Sequence, residues 1–173
     1  MTFDAAVVAQ HAGAIETARW FEATGLPFSD DERGALAALA PRIARVGGWA
    51  QARAIADDTR ANAAYDAAAR EAAALRARAE AVGGTPAVLR ALSAVVDRGL
   101  PVFFRCARTA IARAGLHDEE LSRVAAGAAA EAVYRGALAA ALGQPAHPFI
   151  ALEHAYAAGR WPLARIDETL YVL

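Results

Sequence analysis

The sequence predicts an all-α fold, a compact bundle of about six or seven helices with a short C-terminal β-hairpin. Three observations carry this. Alanine fills nearly three in ten of the 173 residues, and it is the best helix former because it loses no rotamer entropy. Apolar residues recur at helical spacing through most of the chain. Glycines and capping residues punctuate those periodic runs, and only the last fourteen residues change character. The expectation is one domain over 1–173, with the bundle in 1–159 and the hairpin, 160–173, docked on it. A chain of this length buries roughly 70% of its unfolded surface, so it needs no metal or disulfide to hold it together.

The first helix is predicted from about Asp4 to Thr24, with Val7, Val8, Ile15, Trp20 and Phe21 as its apolar residues and Gly25-Leu26-Pro27 as its end. Ser29-Asp30-Asp31-Glu32 starts the second. The Ser29 hydroxyl can accept from the backbone at Glu32 while Glu32 reaches back, and the carboxylates suit the positive end of the helix dipole. That helix is expected to reach Val46 through Leu36, Leu39 and Ile43, with a kink or break at Pro41.

A long third helix is predicted from Trp49 to about Val82, alanine-faced and packed close to a neighbour, with Ile55, Tyr65 and Leu75 as anchors. Thr85-Pro86 opens the next as N-cap and first-turn proline. Gly99-Leu100-Pro101 reads as a turn, separating a helix that ends at Arg98 from one over Val102–Ala114. His117-Asp118-Glu119-Glu120 begins a helix that reaches Leu142, and a last one covers Phe149 to Ala158. Trp161 to Ile166 and Thr169 to Leu173, joined at Asp167-Glu168, are rich in strand formers and read as the hairpin. Two isolated strands are marginal in water, so Trp161, Leu163, Leu170 and Val172 are expected to bury on the bundle.

Composition bounds the function. Apolar residues make up 57% and mean hydropathy is +0.22, but alanine supplies much of this. The longest charge-free stretch, Gly136 to Leu152, is interrupted by Gly143 and two prolines and falls short of the ~20 apolar residues of a spanning helix. No membrane association is expected. Met1-Thr2-Phe3-Asp4 has no basic stretch before an apolar core, so no secretory signal is expected. The one cysteine, Cys106, cannot form an internal disulfide, which agrees with a cytoplasmic location. Net charge is −1, and all 18 basic residues are arginine. Beside the alanine content, this reads as the coding bias of a GC-rich, bacterial genome.

Few residues point to chemistry. Arg98, Arg105 and Arg108 cluster about the predicted start of a helix, where free N–H groups also attract anions, and they form the candidate anion site. The flanking helix-turn-helix offers Val102-Phe103-Phe104 where a DNA reader needs polar side chains, so no nucleic-acid binding is expected. Cys106 lies between arginines that can lower a thiol pKa, but on an apolar side, where cysteine acts as a small hydrophobe. His147 and His154 are seven apart with no HxxxH or ExxH pair, so no metal and no other cofactor are expected. Asp58, Asn62, Asp66 and Arg70 make a polar stripe that reads as a solvated face.

Tyr156, Trp161, Leu170, Tyr171 and Val172 form the candidate interface, because aromatic residues are favoured at interface hot spots. The function expected is that of a non-enzymatic protein-interaction domain, an accessory or immunity-type partner or a homodimer using its C-terminal region. The alternative is a small-molecule or metal-dependent helical-bundle enzyme.

Overall fold

The structure, a computed structural model, describes residues 2–22 and 27–173, with the backbone alone over 59–69. The expected helix end at Gly25-Leu26 and the side chains of Asn62, Tyr65 and Asp66 therefore lie outside the described residues. Seven helices and one small sheet account for the described secondary structure. The helical bundle with a C-terminal hairpin is what the composition predicts.

Helix α1 (Ala5–Ala14) is capped by Asp4, whose carboxylate accepts from the Ala6 N–H at 2.9 Å. It stops well short of the predicted Thr24. The Trp20 indole N–H donates to the Ile15 carbonyl at 2.6 Å, and Phe21 adopts φ 61°. Both rings thereby leave the helical path. Trp20 meets Phe103 edge-on at 4.7 Å between centroids, and Phe21 meets Trp161 at 4.7 Å. Burying a large aromatic is worth roughly 1.5–3 kcal/mol, more than a few further turns of helix return.

Helix α2 (Asp30–Leu36) has the predicted capping box, with Ser29 and Glu32 bonded reciprocally. It does not continue to Val46. The chain breaks before the exposed Pro41 and re-forms as strand β1 (Arg42–Arg45). β1 pairs parallel with β3 (Thr169–Val172), which pairs antiparallel with β2 (Pro162–Ile166). The predicted hairpin thus has a third strand, in the order β1-β3-β2, and the C-terminal strand is central. Asp167 turns the hairpin with φ 53°, a left-handed conformation that aspartate tolerates.

The expected single helix from Trp49 to Val82 is two, α3 (Trp49–Ala56) and α4 (Thr59–Gly83). Asp57-Asp58 separates them, and aspartate competes with helical hydrogen bonding through its own side chain. Conversely, the two helices expected about Gly99-Leu100-Pro101 are one continuous α5 (Thr85–Arg113). Gly99 is buried, and a β-carbon there would strike the Phe103 ring and crowd Ile15. Its role is close approach to α1 rather than a turn. Pro101 is exposed, so its ring faces solvent while the helix passes through it.

Helix α6 (Glu119–Ala141) is the axis of the bundle, packed by α1, α4, α5 and α7 (Pro148–Ala157). Its buried side is mainly alanine, including Ala125, Ala126, Ala129, Ala132 and Ala137. Small side chains let the surrounding backbones come close. Among the described residues, close alanine packing of the kind expected of the third helix is most extensive here. The sheet rests on α2 and α7 through Phe28, Leu36, Ala155, Leu170 and Val172. Among the described residues, no helix is long and apolar enough to cross a membrane.

Candidate functional site: a cleft beside the central helix

The outer side of α6 is not fully covered. Between it, α7 and strand β2 lies a cleft of about 480 Å³. Helix α6 contributes Val124, Ala128 and Ala132, one turn apart, with Gly127 beside them, and these short side chains keep the wall low. Helix α7 supplies Phe149, Leu152 and Tyr156, and β2 supplies Pro162 to Arg165. The buried Tyr156 hydroxyl donates to the Pro162 carbonyl at 2.9 Å, fixing the start of β2 against α7. Burial, with a smaller effect of Glu131, pushes that phenol well above its ordinary pKa.

Charge enters this apolar surround at four places: Arg123, Glu131, Arg135 and Arg165. Arg135 is only 8% exposed. It pairs with Glu131 one turn away at 2.8 Å, and its guanidinium lies 5.3 Å from the Phe149 ring centre. Arg123 pairs with Glu119 at 2.8 Å, where both are largely exposed. Arg165 differs from these. Its Nε is buried and meets no hydrogen-bond acceptor among the described residues. The arrangement can hold a small apolar body and meet one anionic group.

Of the sequence-derived candidates, only Tyr156 and Leu170 line this cleft. Arg98, Arg105 and Arg108 are exposed along the middle of α5, which passes through this region without a helix start. No terminal N–H groups therefore join them, and the expected helix-turn-helix does not exist. Arg98 comes within 3.9 Å of Glu16, and Arg108 stands 5.9 Å from the Phe104 ring centre. Of the candidate interface residues, Tyr156, Trp161, Leu170 and Val172 are buried within the chain, and Tyr171 is half-buried. Trp161 lies among Phe21 and Trp49. Cys106 is half-buried, and burial raises its pKa, with only partial relief from Arg105.

The histidines are dispersed. His147 caps α7, accepting from the Phe149 N–H at 3.2 Å through Nδ1. His154 and His117 are exposed. His11 bonds Glu153 at 2.7 Å, through Nδ1 to Oε1, across the α1–α7 contact. The other Glu153 oxygen is buried with no partner among the described residues. No group of three or more metal-ligating side chains occurs among the described residues.

Apart from Tyr156 and Leu170, the cleft residues are absent from the sequence-derived set, as is the His11–Glu153 pair, although signals for both exist. Glu131 and Arg135 are a charged pair inside an otherwise alanine-rich helix. Glu153 is the one carboxylate in the apolar run Pro148–Ala157. A charge kept in such surroundings needs a partner. No protein-family model, no curated protein and no solved structure matches the chain.

Proposed function

We propose that this protein is a small-molecule-binding domain that holds a compact, mostly apolar ligand in the cleft between α6, α7 and β2. The cleft itself is the observation that carries this reading. Its volume of about 480 Å³ falls in the range of roughly 300–1,000 Å³ usual for ligand pockets, as does its mix of apolar walls and a few polar groups. Its described polar groups are three arginines, Glu131 and a tyrosine hydroxyl already bonded to Pro162. A set with neither histidine nor thiol favours binding over turnover. The protein-contact reading rested on side chains that lie mostly in the interior, so the cleft has the stronger claim.

Gly127→Leu tests it. A β-carbon at Gly127 meets nothing within 4 Å, so a leucine there fills the cleft without straining the helix. Apolar fragments titrated into the wild type should shift the methyl NMR signals of Val124, Leu152 and Leu163, and the shifts should vanish in the variant. Fragments that leave those methyls unmoved, or move them equally in Gly127→Leu, would overturn the reading.

A further inference from the structure

Resting on that reading, we infer that the ligand of the cleft carries a carboxylate and that Arg165 receives it. Three guanidinium groups border the cleft against the single carboxylate of Glu131. Two have partners: Arg135 pairs with Glu131 and Arg123 with Glu119. Of the three, only Arg165 has no ion pair among the described residues, and its buried Nε meets no acceptor there. An anion arriving in the cleft gives that guanidinium the counter-charge that Arg123 and Arg135 already have. The guanidinium fork matches a carboxylate with two parallel hydrogen bonds, a fit that a hydroxyl or amide lacks.

The anchor's placement suits an amphipathic acid. Arg165 stands on β2, antiparallel to β3 and opposite Leu170, so the pairing of the central strand holds its backbone. Val124, Ala128, Leu152 and Leu163 provide the apolar wall beside it. A monocarboxylate on an aliphatic or aromatic body meets both features together. A neutral alcohol of the same shape offers the Arg165 guanidinium one uncharged acceptor in place of two charged ones.

Octanoate and 1-octanol, titrated into the full chain by NMR and calorimetry, separate head group from tail. Octanoate is expected to bind at least about tenfold more tightly than octanol, the scale of a charge-assisted hydrogen bond. Arg165→Gln should abolish that preference while leaving octanol affinity within about twofold, and Arg165→Lys should restore part of it. Equal wild-type affinities for the two probes, or a preference that survives Arg165→Gln, would overturn the carboxylate inference and leave the cleft reading standing. Failure of both probes to bind the wild type would remove the cleft reading and this inference with it. The wild-type comparison alone decides the matter if Arg165→Gln proves unstable.

Discussion

The carboxylate of Glu153 lies against the α-carbon of Gly136, in the space that a β-carbon there would occupy. Glycine at this position in α6 is thus what allows a charged side chain of α7 to enter the bundle. Replacing an interior helical glycine by alanine ordinarily stabilises, by about 0.5–1 kcal/mol. At Gly136 the sign should reverse. The added methyl forces Glu153 off its bond to His11, and overpacking of this kind costs about 1–3 kcal/mol. Gly127→Ala in the same helix, with open space around it, should show the ordinary gain. Urea denaturation of the two variants provides the comparison, and equal signs would refute the assignment of Gly136 to close packing.

The pair behind that contact should make stability fall as pH rises. The Glu153 hydrogen bond raises the His11 pKa above its ordinary value, with burial opposing it. Burial raises the Glu153 pKa, with the hydrogen bond to His11 opposing. Both shifts mean that the folded chain binds more protons than the unfolded one. The His11 contribution is full below about pH 6.5, its ordinary pKa, and is lost as pH climbs through the raised folded value. Glu153 likewise disfavours folding increasingly as pH passes above the ordinary carboxylate range. In Glu153→Gln the imidazole keeps its burial but loses its anion, so its pKa should drop. The variant should be less stable than wild type near pH 6 by about 1.5–3 kcal/mol, the worth of a hydrogen bond to a charged group. The gap should close as His11 deprotonates. Titration of the His11 ring signal in both proteins measures the shift directly, and an unchanged pKa in the variant would sink this account.

Local chemistry was legible in the sequence where it decides structure alone. The Ser29–Glu32 box, the acidic start of α6 and the C-terminal hairpin are written in adjacent residues, and the structure has all three. What the sequence hid depends on distant partners. Arg42–Arg45 is short, and Leu36, Leu39, Ile43 and Val46 recur at helical spacing. It becomes a strand because the edge of β3 offers unpaired backbone groups, with the Val46 N–H donating to the Val172 carbonyl at 2.8 Å. Gly99 and Pro101 look like a turn, yet tertiary packing of Phe103 and Ile15 carries the helix through them. The cleft was hidden for the same reason. Val124, Leu152 and Arg165 are apart in sequence, and only the packing of three elements joins them.

Asp118 should prove the most sensitive of the half-buried carboxylates. It caps α6 by accepting from the Leu121 N–H at 2.8 Å, and it receives Arg53 at 2.9 Å on both oxygens. The Leu121 N–H foremost, and then Arg53, hold its pKa below the usual range. Its contribution is therefore present above the ordinary aspartate range and is lost as pH falls through the depressed value. Asp118→Ala should cost about 1 kcal/mol for the cap at neutral pH. Asp118→Asn should cost less, because the amide oxygen still caps. Both differences should shrink on acidification, in denaturation curves recorded from pH 7 down to about pH 2.5. A cost for Asp118→Ala that persists at the acid end would mean that neither bond sets its worth.

Deleting Thr169–Leu173 should damage far more than a terminal strand. β3 lies between β1 and β2, so its removal orphans both neighbours rather than one. It also uncovers Phe28, Leu36 and Ala155, which pack against Leu170 and Val172, and it breaks the bond from the Leu173 N–H to the Trp161 carbonyl. Unpaired strands with an exposed apolar face associate with one another. The truncated chain should therefore aggregate or lose its cooperative transition, with size-exclusion chromatography and thermal melts reporting each outcome. Leu170→Ala isolates the packing share with every strand kept. At 4% exposure it should cost about 2–4 kcal/mol, the usual loss for a buried leucine. A truncated chain that melts cooperatively at the wild-type temperature would show that the bundle folds without its sheet. β2 would then have no fixed partner, and the cleft wall built on Arg165 would lose its support.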